Sequence, residues 1–394
     1  MLNNLNFKTE EFFLVVALGL EERAENELID WCAVLATEFG AMAYLQKIEV
    51  VKGGIEFEIG EPVGLLLNRC LKLPSRILQR IHSFTTREWP VVEKELNKVQ
   101  WKKYFTLGIK DWEIAASESR MNNEKHLLNL LEEKFANKTY LKSAEGTVAY
   151  LRVYDNLFTL SRDTSGEHLH FRGYRQNQGL APLRENFASF VWSLLIKERS
   201  RIDAGNVLII DPFVGAGTLL FEALLWNQIF DGRQFVGDIW ISPEIEAKFQ
   251  NVRKRLTSWN LNLVGVDIDP EMVKKSLDNL GNLKQFLKNK QVEFKVGSST
   301  QTSRPEWLNT DREVWLISNP PYGGKGRIKG VESWRTLWEG ALNCYNPTWA
   351  IALGPERDCK KGDIWSQWQC LDTHRFLNGG LRVAASVWKK INHH

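Results

Sequence analysis

The C-terminal half of the chain alternates apolar runs with amphipathic stretches. Residues 207–210, 263–266, 292–296, 314–317 and 349–353 are short apolar or half-apolar runs of strand length. Runs this apolar suit strands that are covered on both faces. Between them, residues 218–227, 243–260, 270–280 and 333–344 carry helical spacing, and residues 381–388 read as a late strand after Asn378-Gly379-Gly380. Strands and helices in strict alternation predict an α/β fold with a parallel, doubly wound sheet, whose ligands sit at the carboxyl ends of the strands.

The N-terminal half has a different order. Residues 12–18 predict a strand, and residues 21–37 a helix with Ala24, Leu28, Trp31, Val34 and Leu35 on one face. Residues 43–45 and 55–59 predict strands around Gly53-Gly54, and Gly60-Glu61 opens a helix toward Cys70. Residues 75–85 alternate Ile77, Leu78 and Ile81 with Arg76, Arg80 and His82, which predicts a half-buried strand with an arginine-bearing outer face. Helices are expected at 89–97 and 125–136 and a strand at 112–116. Two further strands, 147–154 and 157–162, flank Asp155-Asn156, a two-residue hairpin signal. The sum is an α+β layer. The tract 163–175 passes from turn formers to basic and aromatic residues and marks a domain boundary. A long helix is expected from Ala181-Pro182 to about Lys197.

Composition narrows the class. A chain of 394 residues, 25% charged and 43% hydrophobic, suits a globular protein of two or three domains. A net charge of +3 does not by itself mark a nucleic-acid binder, so any basic surface must be local. The 5 cysteines are odd in number, with no C-x-x-C spacing and no nearby histidine partner. They read as free thiols in a reducing compartment, with no disulfide frame and no metal. No charged-then-apolar leader opens the chain and no stretch has membrane-spanning length, so the expected location is the cytoplasm. The 16 Trp are assigned to core packing.

Three motifs carry the chemistry. Asp211-Pro212-Phe213-Val214-Gly215-Ala216-Gly217-Thr218 follows a buried strand and opens a helix. Its glycines allow close approach to the backbone, the helix N-terminus favours a carboxylate, and the preceding acid suits an amine, which together describe an amino-acid moiety. Leu220 excludes a dinucleotide fingerprint, and no G-K-S/T follows for a phosphate loop. Gly265-Val266-Asp267-Ile268-Asp269-Pro270 ends the next strand. Asp269 caps the helix opened by Pro270, leaving Asp267 for the hydroxyls of a ribose. Ser298, after Val296-Gly297, falls where an adenine amine would lie. Finally, Asn319-Pro320-Pro321-Tyr322 ends the run 314–317. The prolines stop the ladder and free the Asn319 amide and the Pro320 carbonyl to accept from a planar amine, on which Tyr322 can stack. Together these sites describe S-adenosylmethionine facing an amine nucleophile.

D-P-F-x-G-x-G, G-x-D-x-D-P and N-P-P-Y in this order resemble the class I methyltransferases of exocyclic amines. D-T-S-G-E-x-L-H-x-R-G-Y-R followed by A-P-L-R-E-N-x-A resembles one branch, the THUMP-domain guanine-N2 methyltransferases of large-subunit ribosomal RNA. That resemblance implies a ferredoxin-like segment at residues 1–55 and a THUMP-like RNA-binding domain at 56–162. It further implies a linker at 163–182 and a Rossmann-like S-adenosylmethionine-dependent domain at 183–394. Two departures stand out. The family usually follows N-P-P-Y-G with an acidic then a basic residue, where this chain has Gly324 and Lys325. It also commonly has an acidic residue in place of Ser298.

The implied cofactor residues are Asp211, Phe213, Gly215, Gly217, Thr218, Asp267, Ile268 and Ser298. The implied catalytic set is Asn319, Pro320, Pro321 and Tyr322, which would draw a flipped guanine N2 toward tetrahedral geometry. Lys325 and Arg327 either clamp phosphate or sit on a solvated loop. Arg172, Tyr174 and Arg175 (with Arg184) either touch RNA or pack between domains. The expected partner is RNA, ribosomal on the resemblance, with transfer RNA as the alternative. A DNA adenine-N6 methyltransferase uses the same N-P-P-Y logic, and a binding factor without catalysis is the remaining class.

Overall fold

The computed structural model describes residues 8–136, 143–175, 183–195, 202, 205–256, 259–288, 290–301, 303–308, 310–321, 333–356, 367–378 and 380–391. The chain divides into two compact units, one of residues 1–16, 24–169 and 234–252, the other of residues 17–23, 170–233 and 253–394.

The first unit is built on one seven-stranded sheet. Its strands are β1 (Thr9–Val15), β2 (Lys47–Val51), β3 (Gly54–Gly60), β4 (Arg76–Thr85), β5 (Ile109–Ser117), β6 (Thr147–Tyr154) and β7 (Leu157–Asp163), in the order β2-β3-β1-β4-β7-β6-β5. Every pairing is antiparallel except β5 with β6. The strands expected of the 1–55 and 56–162 segments therefore share a sheet. Residues 43–45 form no strand: Gly40–Ala43 is a 3-10 turn, and the pairing begins at Lys47. Asp155 and Asn156 have φ of 44° and 62°, the left-handed pair of a type I′ turn, which matches the right-handed twist of β6 and β7. The arginines of β4 do not form the expected open face. Arg80 is buried against Glu56 and the Ser161 hydroxyl, and Arg76 pairs with Asp163.

Residues 234–252 belong to this unit although they follow the glycine motif Asp211–Thr218 in sequence. Gly237 N–H donates to the Thr164 carbonyl at 2.7 Å, and Arg69 pairs with Asp238 at 2.9 Å and Glu246 at 2.8 Å. The Arg162 guanidinium carbon lies 3.6 Å from the Trp240 ring centroid.

The second unit holds the predicted doubly wound sheet. Its strands are β8 (Val207–Asp211), β9 (Leu261–Asp267), β10 (Lys290–Val296), β11 (Glu313–Ser318), β12 (Trp349–Pro355), β13 (Trp368–Asn378) and β14 (Leu381–Lys390), in the order β10-β9-β8-β11-β12-β14-β13. The first five are parallel, and β14 inserts antiparallel between β12 and β13. Leu208, Ile210, Val264, Val266 and Leu316 form its core with Trp334, Trp338 and Trp388. Each such side chain contributes roughly 1.5–3 kcal/mol by leaving water. The helix expected from residue 181 is described from Glu185 to Ser193; Ala181 and Pro182 lie outside the described residues. Cys32, Cys70, Cys344 and Cys370 are free thiols, and Cys359 lies outside the described residues. No described helix is long and apolar enough to cross a membrane.

Candidate active site

The winding of the second sheet reverses between β8 and β11, and a crevice at the carboxyl ends follows from that reversal. The register aligns the chemistry there. Leu316 pairs with Ile210, Asp211 with Gly265, and Asp267 with Val296. Asp211, Asp267, Val296 and Ser318-Asn319 therefore end four neighbouring strands on one edge.

The glycine motif makes the turn that its composition predicts. Gly215 has φ of 53° and Gly217 of 90°, and helix Thr218–Leu225 starts directly after them. A Cβ on Gly217 would stand 2.4 Å from the Phe221 ring, so both backbone angle and space require glycine there. Helix Pro270–Gly281 braces the loop through Ser276 Oγ to the Gly215 carbonyl (2.7 Å) and Asn279 Nδ2 to the Ala216 carbonyl (3.2 Å).

Asp211 is 1% exposed. Its Oδ1 accepts from the Ser318 hydroxyl at 2.7 Å and the Phe213 N–H at 3.1 Å. Burial raises its carboxyl to about 7, against those two donors, with the Asp267 charge adding to the rise. Asp267 accepts Gly215 N–H on Oδ2 (2.9 Å) and Asp269 N–H on Oδ1 (3.0 Å). Each oxygen keeps a lone-pair direction for a further donor. Burial raises this carboxyl as well. Asp269 caps its helix as expected, accepting from Glu271 N–H at 2.9 Å. Ile268 and Val296 stand 72% and 56% exposed beside Asp267, two apolar side chains turned to solvent on this edge.

Ser298 is half-buried and its hydroxyl lies 3.3 Å from that of Thr300. Its neighbour Ser299 points inward, bonding the Pro212 carbonyl and lying 3.2 Å from the Tyr345 hydroxyl. Composition alone did not separate the two serines. Asn319 Oδ1 is buried and has no hydrogen-bond partner among the described residues. Pro320 is buried and Pro321 exposed. Tyr322, Lys325 and Arg327 lie outside the described residues.

The basic and aromatic tract is placed differently from its RNA-contact reading. Arg172, Tyr174 and Ser189 converge on Glu222, which is fully buried on helix Thr218–Leu225. Tyr174 donates at 2.8 Å, Arg172 pairs at 3.2 Å, and the Ser189 hydroxyl bonds Oε2. Arg175 pairs with Glu185 at 3.2 Å and donates to the Leu183 carbonyl at 2.6 Å. A buried charge needs a partner, and these arginines have theirs inside the unit, which removes them from a substrate surface. No sequence signal pointed to Glu222, which lies on an apolar helix.

Solved structures of proteins described as methyltransferases or methylases share this fold at low sequence identity. SMU.472, described as a methyltransferase and solved with S-adenosylhomocysteine, has a TM-score of 0.74 at 20% identity, over 98% of this chain and 100% of that one. A Listeria monocytogenes protein named as a predicted N6-adenine-specific DNA methylase gives 0.73 at 20% identity, over 98% of this chain and 97% of that one. Residues 172–359 match the family described as UPF0020: RMKL-like, methyltransferase domain. The Ribosomal RNA large subunit methyltransferase K/L of Buchnera aphidicola is 24% identical over 73% of this chain and 44% of its own length. That of Shewanella frigidimarina is 34% identical over 42% of this chain and 23% of its own. The chain thus spans less than half the length of these K/L relatives. YpsC of Bacillus subtilis, an RNA methyltransferase by name, is 27% identical over 82% of this chain and 84% of its own.

Proposed function

We propose that the protein transfers a methyl group from S-adenosylmethionine to the exocyclic N2 of a guanosine in structured RNA, with large-subunit ribosomal RNA as the substrate. The single observation that carries the reading is the Asn319 Oδ1 atom, buried at the carboxyl end of β11 with no partner among the described residues. An unsatisfied buried acceptor costs about 1–3 kcal/mol, and an incoming amine removes that cost. The Pro320 carbonyl, in a residue with no N–H, supplies the second acceptor.

The donor set fits the cofactor. Asp211 holds an ammonium, the N-terminus of helix Thr218–Leu225 favours a carboxylate, and Asp267 keeps acceptor capacity for ribose hydroxyls. Ile268 and Val296 give apolar cover to a base. When bound, S-adenosylmethionine supplies an electrophilic methyl on a sulfonium. Asn319 and Pro320 accept the two N–H bonds of the guanine amine and draw its lone pair out of the ring. They also stabilise the positive charge that develops on nitrogen. Tyr322 stacks on the flipped base. The product ammonium is acidic enough to lose its proton to water, so no strong general base is required. Ribosomal RNA is favoured by the names of the K/L relatives. The first unit, proposed as the THUMP-like module that the resemblance implies, carries the RNA.

The test is nucleoside mass spectrometry on RNA and DNA incubated with the protein and isotopically labelled S-adenosylmethionine. Label in N2-methylguanosine from large-subunit RNA is the expected result. Label in transfer RNA moves the substrate, label only in N6-methyladenine replaces the base, and absence of label from every pool overturns methyl transfer.

A further inference from the structure

Ser318 ends β11, is fully buried, and stands one residue before Asn319. Parallel pairing with β8 brings its hydroxyl to Asp211 Oδ1 at 2.7 Å. Oδ1 also takes the Phe213 N–H, and among the described residues Oδ2 takes no hydrogen bond. The two oxygens of a nearly inaccessible carboxylate are therefore used differently. One is tied to the strand that carries Asn319, and the other is left for a ligand. Asn319 itself has no such anchor, since its Oδ1 is unpartnered among the described residues. Its aim depends on the backbone that Ser318 holds.

We propose that Ser318 is a positioning residue: its hydroxyl, held by Asp211, sets the orientation of the Asn319 amide and makes it respond to what Asp211 binds. This rests on the methyl-transfer reading above. A cation on Oδ2 fixes the carboxylate in its ionised form, and a hydrogen bond to an ionised acceptor is roughly twice as strong as a neutral one. The cofactor's ammonium, bound on Asp211, thus tightens Ser318 and presents Asn319 to the amine. Binding is ordered, with cofactor first and nucleic acid second. The link runs through one side chain and no moving domain.

The experiment uses the full chain. S-adenosylhomocysteine affinity is read by calorimetry, and turnover by label transfer from S-adenosylmethionine to an unmodified large-subunit RNA transcript. In Ser318→Ala, kcat falls between about 10- and 100-fold, the scale of a misplaced catalytic group. S-adenosylhomocysteine affinity falls by less than kcat does, about three- to tenfold, through the bond that the cofactor tightens, and the binding that remains reports that the variant is folded. Ser318→Thr, which keeps the hydroxyl, recovers most of the lost kcat. An unchanged kcat in Ser318→Ala overturns the proposal. So does a kcat loss matched by an equal loss of affinity, because the hydroxyl would then serve Asp211 alone. Failure of the wild-type protein to bind the cofactor or transfer label is distinguishable from both: it removes the underlying reading, and the positioning role with it.

Discussion

Ser276 donates its hydroxyl to the Gly215 carbonyl over 2.7 Å, so the glycine turn is held by the helix that Asp269 caps. Ser276 is fully buried. Ser276→Ala leaves that carbonyl without its donor, at a cost of about 1–2 kcal/mol. The expected result is a loss of S-adenosylhomocysteine affinity of about 5- to 30-fold with kcat at saturating cofactor nearly unchanged. Calorimetry and saturation kinetics measure the two quantities separately.

Asn319→Ala removes an acceptor that has no partner to lose. Turnover is expected to fall at least about 100-fold, the scale of deleting a charge-stabilising donor or acceptor. Thermal stability is expected to stay level or rise, because an unsatisfied buried oxygen is deleted. A variant that keeps wild-type turnover, or that melts several degrees lower, contradicts the role given to this amide.

Asp211 gives a pH signature. Its carboxyl is raised from the ordinary 3.8 to about 7 by burial, with Asp267 adding to the rise and the Ser318 and Phe213 donors opposing it. A raised carboxylate favours the folded state below its unfolded value, and that contribution is lost as pH climbs through about 7. Ligand binding runs the other way, since an ammonium needs the ionised form. S-adenosylhomocysteine affinity should rise as pH passes from 6 to 8, and Asp211→Asn should flatten the rise. Asp267 and Tyr345 are the other titratable groups coupled to Asp211. Asp267→Asn, whose own carboxyl is also raised, should leave the rise in place, which separates the two carboxylates.

Arg162 tests the first unit. It is 1% exposed, donates to Gln79 Oε1 and the Tyr104 carbonyl at 2.8 Å, and pairs with Glu61 at 3.1 Å. Arg162→Ala strands those acceptors. Because Glu61 keeps some access to water, a loss of about 2–3 kcal/mol is expected, below the range for fully buried pairs. Urea melts of the two proteins give the value.

What was legible in the sequence was local. The buried strands of the second sheet announce themselves as apolar runs, and Asp155-Asn156 needs only its own backbone preference to make a turn. The motifs at Asp211, Asp267 and Asn319 each sit at a strand end, so a correct strand places them on the correct edge. Long-range partners were not legible. Strand β13, Trp-Gln-Cys-Leu-Asp-Thr-His-Arg-Phe-Leu-Asn, mixes polar and apolar residues because it lies at a sheet edge, and nothing in its spacing marks it. Arg172 and Tyr174 look like surface chemistry until Glu222, 50 and 48 residues later, is seen to bury them. Ser318 carries no signal apart from its place before Asn319.

The path of residues 234–252 sets a limit on dissection. The chain leaves the second unit after residue 233, packs Asp238, Trp240 and Glu246 against residues of the first unit, and returns at residue 253. No single cut in the gene yields both units intact. A fragment beginning at residue 170 would carry this segment with Trp240 stripped of Arg162. The complementary fragment would leave Arg69 facing neither of its carboxylates. Residues 17–23 cross in the opposite sense, so a clean separation has to deal with two internal segments, and any truncation must supply a replacement for what residues 234–252 lean on.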